Sequence, residues 1–321
     1  MTIPASMQIL GQERVLHWIR KQWLQEGNPA GCYLFSGARG VGKATTSRWV
    51  AQQLFCPQQG CGHCQACQKL AHATHPDYIQ LGPSKGVIGM EQVRALLRTM
   101  QYPPLEARLR LIVIDEAETL NSFAANAMLK TIEEPPPNHL IIFISSLPEQ
   151  LPITLRSRLQ TVGFAPLTSQ TKATLWQAPL EKVRLWEALS GTANLSWREM
   201  LEAWESWQQR RDQIIAILTN THQPDFKQLW RWTNQLAEDD NTGSLRLLRS
   251  ILRDLLLMQQ GMDPAALTHT HCHASLQKIQ LPMAELLRLL ASCDEVVQNL
   301  EEHHANRRIA SEYLLSQLEA L

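Results

Sequence analysis

The sequence has no excess of charge of either sign and no long hydrophobic run. Thirty basic residues balance thirty acidic ones, so bulk charge gives no indication of nucleic-acid binding, although a local basic patch stays compatible with it. No apolar stretch approaches the roughly 18 to 20 residues that cross a bilayer, and residues 1–20 lack the apolar core of a signal peptide. We therefore expect a cytoplasmic protein without a membrane partner.

The cysteines are odd in number and unevenly distributed. There are seven of them, and four fall within residues 56–67. An odd count with a tight cluster is typical of a reduced compartment and a metal site, not of a disulfide framework. With 321 residues and 44% hydrophobic content, the chain is long enough for about two or three domains with their own cores.

Apolar runs in the first half of the chain predict a parallel sheet. The runs Cys32–Phe35, Leu109–Ile114 and Leu140–Ser145 are short and continuous, as in strands that are buried on both faces. Helical patterns alternate with them, and the first of these is Thr45–Phe55. Because such alternation is typical of strands joined by crossover helices, the first half is predicted to be an α/β domain.

The second half has helical periodicity and almost no strand signal from about residue 166 onward. Leucine-rich stretches at 245–258 and 281–290 predict two helices of a bundle, with a loop over 261–275 between them. We predict three domains, with boundaries at 1–165 for the α/β domain, 166–204 for a small helical domain and 205–321 for an all-α domain.

A phosphate-binding loop follows the first predicted strand. Residues 37–43 match the pattern G-x-x-x-x-G-K, and a helix is predicted directly after them. Gly37, Gly40 and Gly42 allow backbone N–H groups to curl around phosphates at a helix N-terminus. Lys43 would reach the β- and γ-phosphates. The first domain is therefore predicted to be a P-loop nucleotide-binding fold.

The residue after the loop lysine departs from the pattern. This position is normally Ser or Thr, whose hydroxyl binds Mg²⁺, and here it is Ala44. Thr45 lies one residue further on, which turns its side chain about 100° away on a helix. The pattern predicts a degenerate nucleotide site without Mg²⁺. It leaves open whether ATP or ADP is bound there, or whether the loop only keeps its shape for packing.

Two carboxylates, Asp115 and Glu116, directly follow the second apolar run. In a P-loop ATPase the first carboxylate holds Mg²⁺ and the second polarises the attacking water. The alternative is a strand end with two solvated acids. Because a phosphate loop precedes them, we favour the nucleotide-site interpretation.

Four cysteines spaced C-x4-C-x2-C-x2-C predict a structural zinc site in an insertion over about 56–67. Thiolates so close in sequence can close a tetrahedral site that has no open position for catalysis. The alternative is four free thiols on a surface loop, and His63 is a competing ligand. The predicted zinc ligands are Cys56, Cys61, Cys64 and Cys67.

The remaining histidine and cysteine positions predict no second metal site. Four of them are spaced too tightly to bind one metal without strain, so we predict a polar loop at His269, His271, Cys272 and His273. Two isolated cysteines are expected to be core residues, namely Cys32 and Cys293.

Several motifs occur in the order typical of bacterial clamp loaders, which are AAA+ proteins. The segments that resemble the family are Ala124–Pro136 (AANAMLKTIEEPP), Thr154–Arg158 (TLRSR) and the four-cysteine insertion. The resemblance is strong over about residues 8–165. In the helical remainder it extends only to the order of the domains. It implies an AAA+ domain with a zinc-binding insertion, a small helical lid and an all-α collar that joins subunits into a ring of five.

Within this family the chain resembles the delta-prime subunits of DNA polymerase III more than the ATP-hydrolysing gamma or tau subunits. The features are its length and Ala44. The resemblance implies a stator without ATPase activity, belonging to the DNA-directed DNA polymerase (nucleotidyltransferase) holoenzyme. It also implies that Arg158 acts in trans, as an arginine finger on the ATP of a neighbouring motor subunit. Leu159 stands where the family commonly has cysteine, and we expect it to pack.

The resemblance also implies partners and sensor positions. The partners are the gamma/tau motor subunits and the delta subunit and, through the assembly, the sliding clamp and primer-template DNA. Ser145 and Ser146 stand where a sensor residue ends the fourth strand, and Arg198 is a candidate for the second sensor.

Two other functions fit part of the pattern. An autonomous ATPase, either the clamp-loader motor itself or another AAA+ protein, would use Lys43, Asp115 and Glu116 catalytically, and Ala44 argues against it. A standalone zinc-dependent DNA-binding module is disfavoured by the zero net charge and the closed cysteine site. For Arg158, the alternative to a finger is an ordinary salt bridge at the surface or at a domain hinge.

Overall fold

A computed structural model of the chain describes residues 9–25, 29–190, 197–219, 242–302 and 306–319. The chain forms two compact units, Met1–Thr171 and Lys172–Leu321. Their boundary lies a few residues after the one predicted at 165. The subdivision of the second unit at residue 204 stays a prediction.

Five parallel strands form the sheet of the first unit: β1 Gly31–Ser36, β2 Tyr78–Leu81, β3 Arg110–Ile114, β4 His139–Ser145 and β5 Gln160–Gly163. Their order is β2-β3-β4-β1-β5, and every pair is parallel. The three predicted apolar runs correspond to β1, β3 and β4, which confirms the α/β prediction. Strands β2 and β5, which lie at the two edges of the sheet, were not predicted from the sequence.

Helices cover both faces of this sheet, because the residues of its central strands are buried on both sides. In β3, Leu111 and Val113 pack into the core on one face, while Ile112 and Ile114 pack into the core on the other. The first face carries α1 Glu13–Ile19, α2 Lys43–Phe55 and α3 Gln65–Ala71. The second face carries α4 Met90–Thr99, α5 Ser122–Glu133 and α6 Ile153–Arg156.

The described residues of the second half form helices and their connections, with no strand among them. The helices are α7 Ser169–Trp176, α8 Leu180–Ser190, α9 Trp197–Glu202, α10 Trp204–Thr219, α11 Gly243–Gln259, α12 His273–Leu276, α13 Met283–Glu302 and α14 Arg307–Glu319. One apolar core joins Leu185 of α8, Leu248 of α11 and Leu289 of α13. The predicted loop 261–275 contains two short 3-10 turns and the start of α12. In the described ranges, no helix is long and apolar enough to cross a membrane.

A buried ion pair holds the loop that connects α4 to β3. Asp77 and Arg110 are almost completely inaccessible to solvent, and their side chains are joined at 3.4 Å. The Asp77 carboxylate also accepts three backbone N–H groups at 2.7–2.8 Å from residues 105–107. The Arg110 guanidinium donates to three backbone carbonyls of residues 99–103 at 2.6–3.0 Å. Both charged groups are therefore held by several hydrogen bonds, although Nε of Arg110 has no partner among the described residues.

We predict that Asp77→Asn lowers the free energy of unfolding by about 3–5 kcal/mol, because it leaves the buried Arg110 charge uncompensated. Burial raises the pKa of Asp77, but the three N–H donors and Arg110 outweigh it, so the pKa lies below its usual value. The stabilisation is thus present above about pH 3.9, the unfolded value, and is lost as the pH falls through the folded pKa.

Urea unfolding of the wild type and Asp77→Asn over an acidic pH series tests this prediction. The control is Glu149→Gln, which removes a charge from an exposed residue of the same unit. A stability difference between wild type and Asp77→Asn that does not shrink at acidic pH would contradict the assignment.

Candidate functional site

A cleft of about 660 Å³ lies at the carboxyl ends of β1, β3 and β4. Its walls come from the loop after β1, from the turn after β3 and from the end of β4, over residues 38–45, 115–118 and 144–147. These strands are neighbours and run parallel, so their carboxyl ends meet at one edge of the sheet. Clefts at this edge are the usual ligand sites of open α/β sheets.

Glycines shape the phosphate loop on one side of the cleft. Gly37 has a φ of +149°, and a Cβ atom placed on it would lie 2.6 Å from the backbone oxygen of Phe164. Gly40 and Gly42 have φ values of +80° and +97°. Gly42 is also the N-cap of α2, so the N-terminus of that helix faces the cleft.

Lys43 is buried at the base of this loop, with 5% of its surface exposed. Its Nζ donates to the backbone oxygens of Gly37 and Ala38 at 2.5 and 2.8 Å, and to Oγ of Ser146 at 3.2 Å. An ammonium group has three donors, so all of them are engaged. Burial lowers the pKa of Lys43, and the negative charges of Glu118 and Asp115 oppose that shift.

The first turn of α2 carries no hydroxyl at the position where the motif places its Mg²⁺ ligand. Ala44 lines the cleft there, and Thr45 lines it as an exposed residue. The next two hydroxyls are bonded to the backbone of the same helix turn. Thr46 Oγ1 donates to the oxygen of Gly42 at 2.9 Å, and Ser47 Oγ donates to the oxygen of Ala44 at 2.8 Å.

The two predicted carboxylates stand on the opposite side of the cleft. Asp115 accepts a hydrogen bond from Nε2 of Gln80 at 3.2 Å and another from the N–H of Glu116 at 3.1 Å. Glu116 has a φ of +50° and forms an exposed ion pair with Arg39 at 3.5 Å. Exposed pairs of this kind contribute little to stability, so Glu116 is free to exchange partners.

Sequence reasoning missed two residues of this region. Glu118 lies on the turn after β3, lines the cleft and accepts the backbone N–H of Ser146 at 3.1 Å. Gln12 is buried, and its Nε2 donates to the oxygens of Val41 and Ala165 at 3.2 and 2.7 Å. Neither residue belongs to a motif, and their partners are remote in sequence, so no local signal marks them.

The two serines at the end of β4 differ in their environments. Ser145 is completely buried, and its Oγ accepts the N–H of Leu147 at 3.1 Å. Ser146 lines the cleft and bonds to Lys43. Arg198 falls within α9, and its side chain lies outside what the structure describes.

Arg158 does not line the cleft of its own chain. It follows α6, and its side chain is 39% exposed. Its Nε donates to Glu133 Oε1 at 2.6 Å and its Nη1 donates to the backbone oxygen of Thr154 at 2.8 Å. The guanidinium is therefore fixed at two points. The neighbouring Leu159 is buried in the core, which confirms the expectation that it packs.

Four sulfur atoms gather between α2 and α3, all within 4.8 Å of one another. The Sγ atoms of Cys56 and Cys61 are 3.5 Å apart, and those of Cys56 and Cys64 are 3.7 Å apart. A tetrahedral zinc site with Zn–S bonds of about 2.3 Å has sulfur separations of about 3.8 Å. The cluster therefore fits such an ion. Its members are Cys56, Cys61, Cys64 and Cys67.

Backbone N–H groups favour the thiolate of Cys56, whereas burial raises the pKa of Cys67 to about 12. The N–H of Cys61 lies 3.4 Å from Sγ of Cys56, and the N–H of Cys64 lies 3.4 Å from Sγ of Cys61. Burial raises the pKa of Cys56, but backbone N–H groups outweigh it and lower that pKa to about 6. His63 is directed to the backbone oxygen of Cys61 and is not a member of the group.

His269 and two cysteines outside the cluster hold structural positions. Within the described residues, the four-cysteine cluster is the sole group placed to hold a metal. His269 is buried and bonds to Ser250 Oγ at 2.8 Å, and burial lowers its pKa to about 3. Cys293 is buried in the core of the second unit, and Cys32 packs against the core between the sheet and helices α4–α6. Burial raises the pKa of both thiols to about 12.

We predict that Gly37→Ala destabilises the first unit by about 3 kcal/mol or more, since the new Cβ would clash with the Phe164 backbone. Gly40→Ala is the matched control, because nothing lies within 4 Å of its Cβ position. Gly40→Ala should lower the free energy of unfolding by only about 1–2 kcal/mol, which is the cost of placing an alanine at a positive φ. Thermal unfolding of both variants tests the difference, and equal losses would contradict the close approach.

Comparisons with known proteins place the chain in a family. A model described as "DNA polymerase III, delta subunit" matches residues 11–168, and one described as "DNA polymerase III, delta subunit, C terminal" matches residues 204–320. DNA polymerase III subunit delta′ of Yersinia pestis is 31% identical over 263 residues, which are 78% of this chain and 74% of that protein.

Two further relatives match about half of the chain. DNA polymerase III subunit delta′ of Pseudomonas aeruginosa is 35% identical over 56% of this chain and 59% of its own length. DNA polymerase III subunit tau of Bacillus subtilis is 30% identical over 50% of this chain, and the match spans 29% of that longer protein. The chain thus covers less than two thirds of either relative. The two domain models and the match to the Yersinia subunit together identify this chain as a member of the DNA polymerase III delta′ family of clamp-loader subunits.

Proposed function

We propose that this chain is a stator of the clamp loader, which does not hydrolyse ATP itself but supplies Arg158 to the ATP of a neighbouring motor subunit. In this role it helps to place the sliding clamp on primed DNA during replication. Its direct partners are gamma/tau subunits and the delta subunit, and it reaches the clamp and primer-template DNA through the assembly. It works in the cytoplasm, at the replisome.

The observation that carries the proposal is the absence of a hydroxyl at Ala44. Hydrolysis in a P-loop site depends on Mg²⁺ that bridges the β- and γ-phosphates, and this metal needs the missing ligand. Thr45 lines the cleft, but it lies one residue further along α2, about 100° around the helix. Thr46 and Ser47 cannot substitute, because both hydroxyls are bonded to the backbone of α2. The fold keeps the shape of a nucleotide site while lacking one of its essential groups.

The environment of Arg158 supports a role outside its own cleft. Glu133 and Thr154 hold Nε and Nη1, while Nη2 has no hydrogen bond to any described residue. A fixed guanidinium with a free terminal nitrogen is suited to binding a phosphate oxygen of another subunit. At that site it would stabilise the negative charge that develops on the γ-phosphoryl group during hydrolysis.

We further propose that the four-cysteine cluster binds one zinc ion with a structural role. Zinc held by four thiolates has no open coordination position, so it supplies folding energy and not chemistry. The ion would fix the short segment between α2 and α3, both of which pack on the sheet. The helical second half is proposed to comprise a lid over 166–204 and a collar over 205–321 that binds the equivalent domains of its partners.

The alternative function is an ATP-hydrolysing motor or a related autonomous ATPase. It is favoured by one observation, that Lys43, Asp115 and Glu116 all line the same cleft. It requires Mg²⁺ to be held without a ligand from position 44. Hydrolysis by the isolated chain separates the two functions.

We predict that the purified chain has no ATP turnover in the presence of Mg²⁺ and primed DNA, as measured by phosphate release. Its Lys43→Ala variant should give the same background value. Turnover that Lys43→Ala abolishes would contradict the stator and establish the autonomous ATPase instead.

Replacement of Arg158 by alanine should leave this chain folded but slow hydrolysis at the neighbouring motor site by about 10³-fold or more. The measurement is single-turnover ATP hydrolysis by the assembly reconstituted with its gamma/tau and delta partners. Arg158→Lys should restore little activity, because an ammonium group lacks the planar donor pair of a guanidinium.

Arg156→Ala is the matched control for Arg158→Ala. It removes the same side chain two residues away. Among the described residues, the Arg156 side chain forms one hydrogen bond, to the oxygen of Pro148, and it is long at 3.4 Å. Equal rates for the wild type and Arg158→Ala, or equal losses for both alanine variants, would refute the finger assignment.

Metal analysis should find about one zinc ion per chain, and Cys61→Ser should lose it. The free energy of unfolding should fall by about 3 kcal/mol or more, since a four-point cross-link is removed. Cys32→Ser, outside the cluster, is the control and should keep the metal. A metal-free preparation that melts at the same temperature as the zinc-loaded protein would exclude a structural role.

A further inference from the structure

Glu118 is a carboxylate at the base of the phosphate cleft that belongs to none of the sequence motifs. Glu118 and Lys43 each form a hydrogen bond with Ser146. The backbone N–H of Ser146 donates to Oε1 of Glu118 at 3.1 Å, while its Oγ accepts from Nζ of Lys43 at 3.2 Å. The Glu118 carboxylate and the Lys43 ammonium group are therefore both held at the carboxyl end of β4.

The second oxygen of Glu118 is buried and has no hydrogen-bond partner among the described residues. A buried carboxylate oxygen without a hydrogen bond is unfavourable unless a nearby positive charge stabilises it. Lys43, which is bonded to the same residue, Ser146, supplies a positive charge. Burial lowers the pKa of Lys43, and the negative charge of Glu118 opposes that shift. The pair is thus mutually stabilising in the absence of any ligand.

The charge of the cleft as a whole is unfavourable for a polyphosphate. Its described lining contains three carboxylates, Asp115, Glu116 and Glu118, against two cations, Arg39 and Lys43. In an active site, Mg²⁺ would offset this excess, but position 44 has no hydroxyl to hold it. A triphosphate entering the loop would therefore meet a net negative surface.

We propose that Glu118 acts as the internal counter-ion of Lys43 and excludes nucleotide polyphosphates from the phosphate loop of this chain. To bind a phosphate, Lys43 must leave its carbonyl and Ser146 partners, and the phosphate oxygens must approach the Glu118 carboxylate. Both changes are unfavourable, and together they keep the loop in the conformation it has without a ligand. Glu118 is therefore a specificity-determining residue for this cleft.

This inference concerns binding by the isolated chain and is independent of the trans role of Arg158. The Arg158→Ala experiment and the test below can therefore fail separately. Binding gained on substitution of Glu118 would not by itself produce hydrolysis, because Ala44 is unchanged.

The test is a fluorescence titration of the purified chain with mant-ATP and Mg²⁺, followed by competition with unlabelled ATP. We expect weak or no binding to the wild type and at least tenfold tighter binding to Glu118→Gln. The glutamine keeps an oxygen acceptor for the N–H of Ser146 but removes the charge. Glu149→Gln is the control, since it makes the same charge change on an exposed residue of the same unit that does not line the cleft.

Two further variants keep the outcome decisive. Lys43→Ala in the Glu118→Gln background should abolish the gained binding, which would show that it involves the phosphate loop. Glu118→Ala should also gain binding, which would show that the gain comes from loss of the carboxylate and not from the new glutamine amide. Thermal unfolding reports whether each variant is folded. Micromolar binding of mant-ATP by the wild type, equal affinities of Glu118→Gln and Glu149→Gln, or gained binding that survives Lys43→Ala would each overturn the proposal.

Discussion

The parallel pairing of β1, β3 and β4 is the constraint on which the candidate site depends. These three strands are adjacent and aligned, so the loops that leave their carboxyl ends are brought to one edge of the sheet. The phosphate loop, the acidic turn and the serines of β4 come from parts of the chain that are remote in sequence. Burial of the central strands on both faces fixes their register, because a slip by one residue would exchange the side chains of the two cores.

The cleft has the backbone shape of a nucleotide site but lacks one of the groups that such a site uses to hold Mg²⁺. The loop glycines keep their left-handed conformations and the helix N-terminus still faces the cleft. The hydroxyl that would hold Mg²⁺ is absent at Ala44, and Lys43 is already engaged by two loop carbonyls and Ser146. Glu118 adds a negative charge beside the lysine. The preserved shape and the altered charge are both consistent with a subunit that acts on the nucleotide of a neighbour.

Two local devices stabilise the first unit around this cleft. The Asp77–Arg110 pair fixes the connection between α4 and β3, and the zinc ion proposed for the cysteine cluster would fix the segment between α2 and α3. Lys69 of α3 also forms an ion pair with Glu106, at 2.6 Å, so the segment after the cysteines is tied to the same connection. None of these residues lines the cleft.

The sequence by itself determined the α/β class, the phosphate loop, the acidic pair, the cysteine cluster and the helical second half. Each of these is a local pattern, in which the spacing of neighbouring residues sets the structure. Edge strands β2 and β5 were missed because they are only partly buried and lack a continuous apolar run. The bonds from Gln12 to Ala165, from Lys43 to Ser146 and from Arg158 to Glu133 were decided only by the tertiary structure. They join residues 153, 103 and 25 positions apart, and no periodicity or motif specifies contacts over such separations.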